Sequence, residues 1–213
     1  MSDDARAQIF ARVRGALARL PGKQPLPGYA GDVVLSRGAD EVKTPSQAVA
    51  RLRERMAAVH ARAFTDGRSL GAWLIERGAN RGYVDPTLLP AVRSALGGFS
   101  DRLKLETELD RARIDDYQFG VTRAAGAIAE TGSLILDDTT TSRRLGALAP
   151  WIHVAVLTPT QIHPHLAAAI AALNDDPYII FCTGPSKTAD VEGILIEGVH
   201  GPGEQVALIL PQV

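Results

Sequence analysis

Cysteine is almost missing from this chain: Cys182 is the single one among 213 residues. No internal disulfide can form, and no Cys-x-x-Cys pair offers thiolates to zinc or to an iron–sulfur cluster. Any redox chemistry therefore needs a bound cofactor or another subunit. Cys182 itself ends the apolar run Tyr178-Ile179-Ile180-Phe181-Cys182 and reads as a small buried hydrophobe rather than a reactive thiol. Aromatic residues make up only 5% of the chain, too few for a base-stacking platform along a nucleic-acid strand. An excess of either charge is also absent. The 23 Lys and Arg against 24 Asp and Glu leave a net charge of −1, so no basic field recruits nucleic acid. No apolar stretch reaches the length of a membrane span, and no charged-then-apolar leader opens the chain, which makes the cytoplasm the expected location. The five histidines are scattered. His163 and His165 straddle Pro164, and residues two apart do not share a helix face, so no metal site is expected.

What is present suits a globular protein able to bury a substantial core: 46% hydrophobic and 22% charged residues. The spacing of Ile9, Val13, Leu17 and Leu20 predicts an amphipathic helix over residues 3–20, laced with arginine and stopped by Pro21-Gly22. Residues 21–45 are rich in Pro and Gly and read as an extended arm. We divide the chain into a helix and arm, 1–44, and a folded body, 45–213. The body opens on Thr44-Pro45-Ser46 and a helix that turns Ala48, Leu52, Met56 and Val59 to one side. Further helices are expected at 69–77, 86–96 and 164–173. Strands are expected at 82–84, 103–106, 153–157, 178–182 and 205–210. This alternation predicts an α/β fold with a mostly parallel sheet.

Two clusters stand out. AIAETGSLIL, residues 127–136, reads as two short strands joined by a tight turn at Glu130-Thr131-Gly132-Ser133. Glu130 between apolar runs is either exposed at the turn tip or held at a site. GPSKTADVEGILIEGVHGP, residues 184–202, follows the apolar run 178–182, which reads as a buried strand; a second run, Ile194-Leu195-Ile196, leads into Gly-Val-His-Gly-Pro. Strand ends followed by glycine loops form ligand crevices in open α/β sheets. Backbone N–H groups bared at Gly184, the Ser186 and Thr188 hydroxyls, the Lys187 ammonium and His200 form a candidate anion site. The same residues also suit an ordinary turn, with Asp190 capping a helix. Neither the phosphate-loop nor the dinucleotide fingerprint is matched.

Taken together and in this order, with Gly120-Val121-Thr122 before the first cluster and a Pro-x-x-His-Val strand (150–154) between them, the clusters resemble the LUD-domain, or lactate utilization protein C, family over about residues 45–213. The resemblance implies a three-layer α/β fold similar to the CoA-transferase and ribose-phosphate isomerase group. It also implies a part in oxidising L-lactate to pyruvate with two partner proteins of the iron–sulfur and oxidoreductase type. This chain, without cluster ligands, is then the subunit lacking clusters and carries no cofactor of its own. One departure stands out: where the family often has an acidic turn after Gly-Val-Thr, this chain has Arg123-Ala124-Ala125-Gly126.

On this reading Gly184, Ser186, Lys187, Thr188, Asp190 and His200, with Thr131 and Gly132, hold a small anionic ligand, and Glu130 at the mouth is the candidate catalytic group. An alternative is a free-standing acyl-CoA transferase-like or sugar-phosphate isomerase-like enzyme using Glu130 as nucleophile. A third is an interaction module that docks through the arginine-bearing helix and arm. A homo-oligomer is compatible with all three.

Overall fold

The computed structural model describes residues 3–18, 42–141, 144–173, 178–189 and 194–212. The chain divides into two compact units, Met1–Val34 and Leu35–Val213. In the first, α1 spans Asp3–Leu17, with the Arg6 and Arg14 guanidinium groups 5.7 and 6.0 Å from the centre of the Phe10 ring. Most of the arm expected at 21–45 lies outside the described residues.

The second unit is built on α2 (Pro45–Ala58), β1 (Arg62–Phe64), α3 (Gly67–Glu76), β2 (Arg81–Val84), α4 (Leu89–Leu96), β3 (Lys104–Glu106), β4 (Phe119–Arg123), β5 (Gly126–Ile128), β6 (Ser133–Asp137), α5 (Arg144–Leu148), β7 (Ile152–Leu157), β8 (Ile162–His163), α6 (Leu166–Ala172), β9 (Ile179–Cys182), β10 (Lys187–Ala189), β11 (Leu195–Glu197) and β12 (Glu204–Ile209). Local chemistry explains why α2 starts at Pro45. Thr44 Oγ1 accepts from the Gln47 N–H, while Gln47 Oε1 accepts from the Thr44 N–H at 3.1 Å, and proline fills the first helical position, where no N–H is needed. Thr44→Ala is expected to lower stability by about 1 kcal/mol, read from urea unfolding at pH 7.5.

The central sheet has six strands in the order β1-β12-β7-β4-β2-β3, and every pairing in it is parallel. Because side chains alternate along a strand, one face carries Phe119, Val121, Ile152, Val154, Val156, Val206 and Leu208 against Leu70 and Leu74 of α3 and Val92 and Leu96 of α4. The other face carries Ala155, Leu157, Ala207 and Ile209 against Ala48, Leu52 and Met56 of α2 and against Ala127, Leu134 and Leu136 of a second sheet. Three layers result, with the parallel sheet in the middle. The second sheet, β8-β5-β6-β9, is antiparallel across β5–β6 and β6–β9 and parallel across β5–β8.

Two expectations change here. The run 178–182 is an edge strand, β9, and not a buried one: Tyr178 and Phe181 are 58% and 43% exposed, because among the described residues β9 has a neighbour only on its β6 side. The run 194–196 does not join a sheet end either. Its strand β11 pairs antiparallel with β10, a segment expected to be loop, as a two-stranded ribbon, so neither run ends at the parallel sheet. Asp137 is the buried last residue of β6; its carboxylate accepts from the Thr141 N–H at 3.3 Å and from Thr140 Oγ1 at 3.2 Å, as a buried carboxylate must.

Candidate functional site

The first cluster turns at Gly132, whose φ of +72° favours glycine. A Cβ there would lie 2.6 Å from the Arg55 carbonyl carbon, so the turn rests directly on the last turn of α2. Gly184, at φ +78°, does the same one step further on, where a Cβ would lie 2.3 Å from Val59 O. The end of α2 therefore seats both clusters. Hydroxyls join them directly: Thr131 Oγ1 is 2.7 Å from Ser133 Oγ, which is 2.6 Å from Thr183 Oγ1. On the same last turn of α2, the Arg55 Nε is buried with no hydrogen-bond partner among the described residues.

Glu130 is exposed at the turn, with its N–H donated to Pro164 O at 3.1 Å. His165, beyond Pro164, caps α6 by accepting the Ala168 N–H at Nδ1. In the second cluster Ser186 donates its N–H to Pro202 O, and its carbonyl accepts from the Gly198 N–H, which ties the loop 198–202 to the start of β10. Lys187 and Thr188 lie on β10. The Lys187 ammonium is 3.5 Å from Glu197 Oε1, and His60 Nδ1 is 3.0 Å from the same oxygen. The His60 hydrogen bond, with Lys187 assisting, holds the Glu197 carboxyl below its ordinary range. His200 is exposed in the bend after β11. Asp190 lies outside the described residues.

The structure thus joins Thr131 and Gly132 to Gly184 through the end of α2 and the hydroxyl relay, and joins Ser186 to the loop that carries His200. Among the described residues no hydrogen bond or ion pair connects Glu130 with His200. Arg144 is held by Asp138 at 2.6 Å and lies 5.3 Å from the Tyr178 ring centre; Arg143 lies outside the described residues.

A cleft of about 470 Å³ opens at the amino ends of β4, β7 and β12, and the second cluster borders it through Gly198 and Gly201. Its other walls include Arg77, Asp115, Gln118, Trp151 and Glu204. The Glu204 carboxylate pairs with Arg77 and lies 3.8 Å from Arg62. None of the nine site residues read from sequence lines this cleft. Trp151 went unread, although a tryptophan just before an apolar strand was the available signal.

A second unread feature is buried. His153, Thr122 and Gln205 sit side by side on β7, β4 and β12, at most 3% exposed. The Gln205 amide nitrogen is 2.8 Å from His153 Nδ1, and Thr122 Oγ1 is 2.9 Å from Nε2. With Gln205 donating to Nδ1, the ring proton sits on Nε2 and is donated to Thr122. Burial pushes the His153 pKa down to about 4, so the ring is neutral at pH 7. Burial also raises the Cys182 thiol to about 11. Among the described residues no group of three or more His, Cys, Asp or Glu is placed to hold a metal ion, and no helix is long and apolar enough to cross a membrane.

Comparison with known proteins gives a match of residues 39–210 to the LUD domain family model. A lactate utilization protein C of Deinococcus radiodurans is 33% identical over 59% of this chain and 60% of its own length. The protein of the same name from Bacillus licheniformis is 30% identical over 46% of this chain and 44% of its own. The chain thus spans between about two fifths and three fifths of these curated relatives. An uncharacterized protein of Neisseria meningitidis serogroup B is similar almost end to end, 27% identical over 97% of this chain and 94% of its own. Among solved structures, a DUF162-family protein from Deinococcus radiodurans superposes with a TM-score of 0.56, covering 79% of this chain and 99% of that one at 21% identity; the likeness is one of fold.

Proposed function

Because this chain belongs to the LUD domain family, we propose that it serves in the utilization of L-lactate, as the subunit without iron–sulfur clusters in a system that oxidises lactate to pyruvate. The observation that carries this reading is the family match over residues 39–210 together with relatives named lactate utilization protein C. The donor set of this chain does not fit an iron–sulfur cluster: its single cysteine is half-buried in apolar surroundings, and its thiol is pushed up to about 11, far from the thiolate a cluster needs. The clusters, and the electron-transfer steps that use them, fall to partner proteins.

The contribution of this chain is to bind a small anion. Gly184, Ser186, Lys187, Thr188, Asp190 and His200 hold it, with Thr131, Gly132 and Glu130 at the rim. The hydroxyl relay that joins the two clusters supports an anion at this place, since a carboxylate accepts from hydroxyl donors.

The test is genetic. Deleting the gene in a lactate-grown bacterial host that carries it should abolish or strongly slow growth on L-lactate while sparing growth on pyruvate, and a plasmid copy should restore it. Undiminished growth on lactate rejects the pathway role. A Lys187→Ala copy should restore growth only weakly, because a charge-assisted hydrogen bond is worth about 1.5–3 kcal/mol, or roughly tenfold or more in affinity. Full restoration by that copy would remove Lys187 from the site.

A further inference from the structure

We infer that the cleft at the amino ends of β4, β7 and β12 is a binding site for a planar heteroaromatic ring bearing N–H donors, of the nucleobase or nicotinamide kind, which stacks on Trp151. This goes beyond the anion site proposed above and does not depend on it.

Trp151 is placed for stacking by the residues around it. Its benzo ring lies on the backbones of Gly198 and Gly203, where an added Cβ would come within 2.4 and 2.2 Å of ring carbons. Two glycines without side chains thus seat one part of the indole. Yet Trp151 remains 55% exposed and forms a wall of a cleft of about 470 Å³, of the size that small-molecule sites have. A large aromatic surface held rigidly by backbone but left open to a cleft costs little entropy when a flat ligand covers it.

The polar groups of the cleft decide what kind of ring fits. The Gln118 amide is used up: its Oε1 accepts from the Asn80 and Arg81 N–H groups, and its Nε2 donates to Gly78 O. The Tyr117 hydroxyl is buried and bonded to the Glu108 carbonyl and the Asp110 N–H. Arg77 is paired with Glu204, and its guanidinium lies 5.1 Å from the centre of the Trp73 ring. Asp115 is exposed and has no hydrogen bond or ion pair with another described residue. Of the carboxylate and amide side chains of the cleft, the one left to meet a ligand is therefore the Asp115 carboxylate, an acceptor. A ring that supplies N–H donors satisfies it; a ring carrying its own carboxylate is repelled.

The experiment uses the full chain with adenosine and nicotinamide as probes and benzoate as a flat anion lacking N–H donors. The chain has two tryptophans, and the Trp73→Phe variant leaves Trp151 as the emitter. Adenosine or nicotinamide should quench its emission saturably. Calorimetry should show binding loosened about tenfold or more by Trp151→Ala, the usual cost of losing one stacked ring, and several-fold by Asp115→Asn. Asp115 is exposed, so its variant keeps the test valid if Trp151→Ala disturbs the 198–203 loop. No saturable quenching by either probe at millimolar concentration overturns the inference. So does unchanged affinity in the Asp115→Asn protein, or benzoate binding as tightly as adenosine.

Discussion

Alanine at position 120 is expected to lower the midpoint of thermal unfolding by about 10 °C, since among the described glycines it is here that an added Cβ meets the shortest contact. Gly120 is the second residue of β4, where α5 packs on the sheet. A Cβ on it would sit 1.8 Å from Gly146 O and 3.2 Å from the Pro150 ring. The obstacle is a backbone carbonyl, so no rotamer change relieves the clash and α5 must lift. Gly146 is pinned in turn, because a Cβ there would lie 2.6 Å from the Tyr83 ring, which is fully buried. Overpacking a core ordinarily costs about 1–3 kcal/mol, and a contact this short against backbone belongs at the upper end or above. At about 2–4 °C per kcal/mol for a domain of this size, the shift is of the order stated. Differential scanning calorimetry of Gly120→Ala against the wild type measures it. A shift below about 2 °C would show that α5 does not press on β4 as described. Gly15, on α1, has open space where a Cβ would go, so Gly15→Ala serves as a control with no such loss.

Acid should weaken the fold before its carboxylates titrate, and His153 is the cause. Its pKa falls from 6.5 to about 4, and burial is the largest cause. The sign follows from proton uptake. Above pH 6.5 the ring is neutral in both folded and unfolded chains, and it contributes no pH dependence. Between pH 6.5 and about 4 the unfolded ring takes a proton that the folded one refuses, so stability drains away as pH falls. Over the whole window the loss is about 3 kcal/mol, and about 2 kcal/mol of it is gone by pH 5. Asp66, Glu106 and Glu197, whose pKa values are lowered, stay ionised in both states above pH 5 and add their losses only in stronger acid. His163 is lowered by burial as well and contributes with the same sign. Urea unfolding at pH 7.5 and pH 5 in wild type and in His153→Gln isolates the His153 share: the variant should lose about 2 kcal/mol less between the two pH values. Equal losses in both proteins would place the acid sensitivity elsewhere.

Much of the fold was legible because its helices and central strands obey local rules. The Thr44-Pro45 start of α2, the Leu70 and Leu74 spacing of α3 and the apolar runs of β7 and β12 announce themselves over a few residues. The ribbon β10–β11 was not legible. Lys187-Thr188-Ala189 looks like a loop, and it becomes a strand only because Leu195–Glu197 comes back to pair with it. The run 178–182 looks buried for the same reason in reverse, since composition does not say whether a strand has neighbours on both sides or on one.

Within the site, sequence alone identified the two glycine-bearing clusters and fixed the chemistry excluded by a single cysteine, because both depend only on which residue types are present and how closely they follow one another. It could not say that Gly132 and Gly184 rest on one helix end, that Thr131, Ser133 and Thr183 form a chain of hydroxyls, or that Glu197 neutralises Lys187. These depend on distances between residues far apart along the chain. Only the three-layer packing, which presses α2 and the second sheet onto the parallel one, sets those distances, and it is also what leaves Trp151 open on a cleft while shutting His153 away from water.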